Sequence, residues 1–470
     1  MPERPSPRIA ALLAELPGIE AETDPTLVRL KSRDFYWYSP VLKPLLDDKR
    51  GEVVIRPRDE AELLAVLAAA LRHRVPVVPR GGGTGNYGQA VPLEGGVILD
   101  MTAMARILAF AGGIAEIEAG ATLGQVDAWA RVQGWELRLW PSTKRTATVG
   151  GFVGGGGAGV GGIAHGTLRE AGNLAGVTIA TMQDPPRLMD LPWGRAAAVN
   201  HCFGTTGVIT RVRLPLAPAM AWRDIAVSFP DFAAAARFGL ALGLADGIAK
   251  KMCAVIDWPL PSFFKGLAEL LPAGRPVVLA MVGPCGIGAV ADLAAAHGGT
   301  IEAEQDFATA EASAELTPFY EFTWNHTTLH VLKRDKGVTY LQCLFPPGRT
   351  VEAVLAMRER FAGEVMMHTE VARFGGVVTM SALPVVRWTT RERLWEIIAW
   401  CEAEGIAVAN PHVYTLEEGA RWKLVGADRL AFKHRVDPHG LLNPGKMTSF
   451  RPVEGNRGEA NRGEGKEAAA

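Results

Sequence analysis

The stretch Arg80-Gly81-Gly82-Gly83-Thr84-Gly85-Asn86-Tyr87-Gly88 sets a guanidinium and a hydroxyl among glycines. Their bare backbone can turn through positive φ and close its N–H groups around an anion. That combination suits phosphate. Gly83, Gly85 and Gly88 also read formally as the GxGxxG of a nicotinamide dinucleotide fold, with Asp100 ending a later strand. That fold needs a helix opening within the glycines, and only residues 89–96, broken by Pro92, separate Gly88 from the next apolar run. The expectation is a loop between strands that wraps phosphate with its backbone.

A second tract sharpens the ligand. Pro141, Ser142 and Thr143 lead through Thr146, Gly150 and Gly151 into a run of glycines that begins at Gly154 and ends at Gly162. Val149, Phe152, Val153, Val160 and Ile163 punctuate it with groups that require burial, so a flexible linker is a poor reading. A flat ligand lying where a Cβ would collide accounts for the glycines better. Two glycine-lined contacts far apart in sequence suit a long ligand carrying a pyrophosphate and an aromatic ring system, FAD rather than a mononucleotide. Further on, Trp324-Asn325-His326-Thr327-Thr328-Leu329-His330, with Lys333 and Arg334, gathers polar and aromatic groups able to face such a ring. His326 and His330 have the spacing of a helical metal chelate but no third ligand nearby, and no metal is expected.

The elements that must position these residues alternate between strand and helix from about 51 to 218, a pattern of class α+β. Residues 53–55 and 75–79 are short apolar runs, and strands are expected at 97–100 and 114–118. Asp59 with Glu62 opens a helix whose Leu64, Leu67 and Leu71 share a face. Thr122 with Gln125 caps another, with Leu123, Val126, Trp129 and Ala130 as its buried stripe and Gly134 as its stop.

At 470 residues the chain is long enough for two or three domains, and its net charge of −1 gives no reason to expect nucleic acid or an anionic membrane surface as partner. The five cysteines are scattered and never in CxxC spacing, which argues against a disulfide framework and for a reducing cytoplasm. No export signal or membrane span is indicated. Residues 451–470, rich in Gly, Glu and Arg, are expected to be disordered.

The motifs together resemble the FAD-binding domain of the vanillyl-alcohol oxidase and p-cresol methylhydroxylase (PCMH) flavoproteins, which include glycolate oxidase subunits and D-lactate dehydrogenases. The resemblance is carried by residues 75–85, 141–151, Gly176-Val177-Thr178-Ile179, 203–210 and the closing run 437–446. It implies a PCMH-type FAD-binding domain of two subdomains at 51–218, preceded by a helical segment at 1–50. An α+β substrate (cap) domain would follow at 219–404, and 405–450 would return to the FAD domain. Pro79, Arg80, Gly81, Gly82, Gly83, Thr84 and Gly85 would wrap the pyrophosphate. Pro141, Ser142, Thr143, Thr146, Gly150 and Gly151, with Gly154 beyond them, would line the ribityl chain and isoalloxazine. Gly207, Val208 and Ile209 would meet the adenine end, and Asn443 and Lys446 would return to the flavin, the lysine favouring its anionic reduced form.

Relatives that bond flavin covalently carry a histidine where this chain has Thr84 and a cysteine where it has Thr146, so FAD is expected without a covalent bond. Attachment from the substrate domain leaves His326, His330, His368 and His412 open. Metal-using relatives carry His-x-x-Asp-Gly-Asn-x-His and Gly-Glu-His-Gly signatures, and both are broken here, at 368–376 and 410–414. What the resemblance implies is hydride transfer from a C–OH (2-hydroxy acid-like) or activated C–H small molecule to flavin N5. His412 would be the base, Tyr414 the partner of an oxyanion, and Arg373 or Arg421 a carboxylate clamp. The electron acceptor stays open among oxygen, a quinone and a partner protein. A homodimer is compatible with this reading. So are a flavin-bearing subunit of a larger electron-transfer complex and an oxidase of sugars, alditols or phenols.

Overall fold

The computed structural model describes residues 5–418 and 425–452. The expected disorder of 451–470 and the candidate Arg421 therefore fall mostly or wholly outside the described residues.

The first sheet is built from Glu20–Glu22, Val53–Arg56, Val97–Asp100 and Val77–Arg80, in that spatial order, the last three parallel. Asp59 caps the helix Glu60–Arg72 by accepting the Glu62 N–H at 2.9 Å, and the helix buries Leu63, Val66, Leu67 and Ala70. The buried face is thus turned toward Leu63 and Val66, and Leu64 is only half buried. As expected, residues 81–96 contain no helix, although Val77–Arg80 and Val97–Asp100 are parallel neighbours. The glycine loop therefore leaves from the carboxyl end of a parallel strand, where open α/β sheets leave room for ligands.

The second sheet runs Ile107–Ala111, Ile114–Glu118, Val208–Pro218, Gly176–Ala180, Leu188–Pro192, with Trp135–Leu137 paired to the far end of Val208–Pro218. The helix Leu123–Val132 begins at the expected capping box of Thr122 and Gln125 and packs Leu123, Val126 and Ala130 into the core beside this sheet. Residues 149–155, read as a glycine-rich ligand contact, form a short helix, Val149–Gly155, capped by Thr148 through the Gly151 N–H at 3.1 Å. Val149, Phe152 and Val153 lie on one face of it, all buried, and their burial outweighs the poor helix propensity of the four glycines.

The third sheet has eight strands and includes Arg223–Ser228, Lys250–Ile256, Val277–Val282, His368–Phe374 and Val377–Ala382. Strand alternation splits its side chains between two cores. Ile225, Cys253, Val255 and Val278 pack with the helices Phe232–Leu244, Thr350–Arg360 and Arg391–Ala403. Ala226, Met252, Ala254 and Leu279 join the core of the second sheet. The buried Lys251 ties the two halves by bonding to the Leu137 carbonyl at 2.7 Å and to Glu136. It also stands 4.2 Å from the Trp140 ring centre, one residue before Pro141.

The chain end returns to the first sheet. Asn443 N–H donates to the Val77 carbonyl at 2.8 Å, and Val77 N–H donates to Leu441 at 2.8 Å. Among the described residues no helix is long and apolar enough to cross a membrane.

Candidate functional site

The two glycine tracts meet along one cavity of about 500 Å³ that reaches the third sheet. Pro79, Arg80 and Gly81 to Gly85 line it, as do Pro141, Ser142, Thr143, Gly150, Gly151, Gly154, Gly207 and Ile209. Thr146 does not, and its carbonyl instead stands 2.1 Å from where a Cβ on Gly82 would sit. Val208 points the other way along its strand, into the core with Val77 and Leu99.

The glycines divide by what a side chain would meet. A Cβ on Gly81 would fall 2.0 Å from Thr148 Oγ1, and one on Gly150 would fall 2.5 Å from the Ala119 Cβ. These two are needed so that the tracts can interlock with neighbouring protein. A Cβ on Gly154 would meet nothing nearer than Ile209, at 3.9 Å, and would project along the cavity wall. Of the three, only Gly154 is left bare toward the space a flat ligand would use. The expectation that ligand contact explains the whole tract is corrected to that extent.

Beneath the first loop lies a set of buried groups from both ends of the chain. Lys446 Nζ donates to the Gly88 carbonyl at 2.6 Å, and Asn443 Nδ2 donates to Gln89 and Phe203 carbonyls at 2.8 and 2.7 Å. Neither residue lines the cavity; they brace the loop from behind. Burial pushes Lys446 down to about 7 against the opposing field of Asp34. Burial also pushes Asp34 up to about 6, against Lys446 and Arg80. Asp34 lines the cavity with Phe35 and Tyr38, and Arg80 donates to the neighbouring Arg33 carbonyl at 2.6 Å. This N-terminal contribution had no motif to reveal it.

From the third sheet's side comes the helix Asn325–Leu332. It starts at Trp324, held at φ +51°, a conformation few non-glycine residues adopt. The Trp324 N–H donates to Glu370 at 2.6 Å, and Glu370 is held in turn by His368 Nε2 at 2.8 Å, both side chains being buried. That start places Trp324, Asn325, His326 and Leu329 in the cavity wall, while Thr327, Thr328, His330, Lys333 and Arg334 of the same sequence cluster do not line it. His326 Nδ1 stands 2.8 Å from Glu321, which leaves Nε2 as the basic nitrogen of the neutral ring. Burial raises Glu321, but the hydrogen bond and charge of His326, with Arg145 nearby, hold it below the usual carboxylate range. Among the described residues the buried Trp324 Nε1 and Asn325 Oδ1 have no hydrogen-bond partner.

The other expected chemical residues stand elsewhere. His412 is buried, with Nε2 donating to the Tyr340 carbonyl at 2.9 Å and Nδ1 accepting from Ser39 at 2.7 Å. Burial pushes it down to about 4, and it is absent from the cavity wall. Tyr414 packs under Lys446, whose Nζ is 5.1 Å from the ring centre. Arg373 is taken up by the Ile163 carbonyl at 3.1 Å and by Asp246. His330 bonds the Glu321 carbonyl at 3.1 Å between Phe264 and Phe322, so it does not converge with His326. No cluster of three metal-ligating side chains occurs among the described residues. Arg169 and His201, which the sequence reading passed over, do line the cavity.

Residues 51–184 match the profile of an FAD binding domain. The chain is 34% identical over 205 residues to D-lactate dehydrogenase of Archaeoglobus fulgidus, over 40% of this chain and 44% of that protein, so it spans less than half of that relative. It is 25% identical to glycolate oxidase subunit GlcD of Escherichia coli (strain K12), over 93% of this chain and 90% of the relative. A solved structure of alkyldihydroxyacetonephosphate synthase superposes with a TM-score of 0.72 at 15% identity, covering 95% of this chain and 85% of that one, which shows a shared fold.

Proposed function

We propose that this chain, whose residues 51–184 match an FAD binding domain, is an FAD-dependent oxidoreductase that oxidises the C–OH group of a small molecule, with His326 taking the hydroxyl proton. The observation that carries the reading is His326, oriented by Glu321, in the wall of the cavity that the glycine loops line. FAD, when bound, supplies the hydride acceptor at its N5.

The residues present fit that group. Arg80 and the loop 81–85 would take the pyrophosphate, with Arg169 as a second cation; Ser142, Thr143, Gly150, Gly151 and Gly154 would follow the ribityl chain and ring; Gly207 and Ile209 would meet the adenine end. Lys446 and Asn443 would act at one remove by holding the loop. His326 would accept the proton through Nε2 while Glu321 stabilises the resulting imidazolium. Thr84 and Thr146 stand where covalently linked relatives carry a histidine and a cysteine, and yellow colour released on acid precipitation checks that the flavin is not bonded.

Exchange of His326 for Gln tests the base. Flavin content should be kept while anaerobic reduction by substrate slows about 100-fold; an unchanged rate would remove His326 from the reaction. One observation favours a second reading for the electron's exit. The Escherichia coli relative is named as a subunit, so a partner protein is a candidate acceptor here, and co-purification with one would test it.

A further inference from the structure

The carboxylate that orients His326 is shared. Glu321 Oε2 holds His326 Nδ1 at 2.8 Å, while its Oε1 lies 3.7 Å from Nε of Arg145. The same guanidinium places Nη2 3.7 Å from Glu311, and Tyr320 joins it through a side-chain hydrogen bond. Arg145 belongs to a distant part of the sequence. It stands two residues after Thr143, in the turn whose Pro141, Ser142 and Thr143 line the cavity, and that turn is closed by Lys144 N–H on the Pro141 carbonyl and Thr146 N–H on the Thr143 carbonyl, both at 2.9 Å. The neighbouring Lys144 is buried and crosses to the same partner, with Asp127 at 2.8 Å on one side and Glu311 at 3.2 Å on the other. Two adjacent cations therefore bind the cavity-lining turn to the segment 307–326 that delivers His326.

A carboxylate placed between two cationic groups divides its field between them. Arg145 draws on Glu321 through its second oxygen, and its own charge opposes a further positive charge on the imidazole. Both effects have one sign: they favour the neutral ring, the form able to accept a proton. The Arg145 side chain is half-exposed, so solvent limits the effect to a few-fold. The other titratable groups around the pair come from three elements. Tyr320, whose hydroxyl donates to Glu311 at 3.1 Å and also reaches Glu321, has its ionisation pushed well up by burial; burial pushes His330 down to about 4, with Lys333 adding to the effect. Glu370 lies behind them, on the Trp324 N–H. Tyr320 and His330 thus keep one charge state over the range in which an ordinary histidine titrates, and Arg145 contributes a fixed charge.

We infer that Arg145 is a positioning residue for the proton acceptor, acting through Glu321: it bridges the turn beside Thr143 to the His326–Glu321 pair and keeps the imidazole neutral until substrate gives up its proton. The inference rests on the base role of His326 proposed above and extends it to a residue that touches no reacting atom.

The test reads His326 itself in the FAD-loaded protein. Exchange of the imidazole Cε1 hydrogen for deuterium follows the ionisation of the ring, and mass spectrometry with fragmentation between His326 and His330 assigns it to one histidine. Arg145→Gln should move the His326 exchange midpoint upward by about half a pH unit, an about 3-fold gain in proton affinity. Arg145→Lys keeps the charge and should return the midpoint to that of the parent, with flavin content reporting the fold of both variants. A midpoint that stays or falls in Arg145→Gln, or rises equally in Arg145→Lys, overturns the inference and leaves His326 as the base. If His326→Gln reduces its flavin as fast as the parent, the base reading itself fails and the role of Arg145 falls with it.

Discussion

Glu321 accepts the Nδ1–H of His326 at 2.8 Å, so the one histidine that the helix Asn325–Leu332 turns into the cavity is fixed in both orientation and tautomer. Glu321→Gln removes the charge that would stabilise an imidazolium and keeps the shape. Anaerobic flavin reduction should slow by about 10-fold with flavin content unchanged. A variant as fast as the parent would reduce Glu321 to a structural contact.

The strained start of the same helix gives a second test. The Trp324 N–H needs Glu370, and Glu370 needs His368. Glu370→Ala should destabilise the protein by about 3 kcal/mol, because a buried hydrogen-bonded pair is broken and a positive-φ residue loses its anchor. Chemical unfolding measures this. A loss under 1 kcal/mol would show that the helix start is held by other contacts.

Two glycine substitutions separate packing from ligand contact. Gly81→Ala places a methyl 2.0 Å from Thr148 Oγ1, so the protein should lose stability even without FAD. Gly154→Ala meets no protein atom nearer than 3.9 Å and sits in a helix, so the FAD-free protein should be at least as stable as the parent while FAD affinity falls about 10-fold. Equal effects of the two on FAD-free stability would contradict this division.

Lys446 and Asp34 sit below the loop as an interacting pair. Lys446→Met strands the Gly88 carbonyl and leaves Asp34 with Arg80 alone as a nearby cation, an expected loss of about 3 kcal/mol. Adding Asp34→Asn should recover part of it, and a double-mutant cycle measures the coupling. Strictly additive losses would mean that the two do not interact.

Acid stability reports on His412. Burial holds it near 4 in the folded protein, against about 6.5 when unfolded, so the unfolded chain binds the extra proton between those values. Its contribution is intact above pH 6.5 and is lost as pH falls toward 4, by up to about 3 kcal/mol. Asp34, raised to about 6 by burial, acts with the opposite sign, so the informative quantity is the difference from His412→Gln. That variant should unfold with a flatter pH dependence between 6.5 and 4, and an equal slope would exclude His412 as the source.

The parts of the molecule legible in the sequence are those whose cause lies within a few residues. The capping box of Thr122 and Gln125, the strand Val97–Asp100, and a glycine loop with no room for a helix are all set by spacing along the chain. Even the missed helix Val149–Gly155 had its signal in Thr148 and the spacing of Val149, Phe152 and Val153. The expectation that Arg80 to Gly85 wrap a phosphate rests on residue type alone.

Tertiary structure decided which side chains reach the cavity, because that depends on pairings between distant segments. His412 sits in a plausible motif but is turned to Ser39, 373 positions away, whereas His326 is turned inward by contacts from Glu321 and, through Trp324, from Glu370. Asp34 and Lys446 meet under the loop only because Leu441 and Asn443 bond to Val77 at the edge of the first sheet. A chain's local spacing determines which groups are available; the direction each one points is an energy minimised over the whole packed interior.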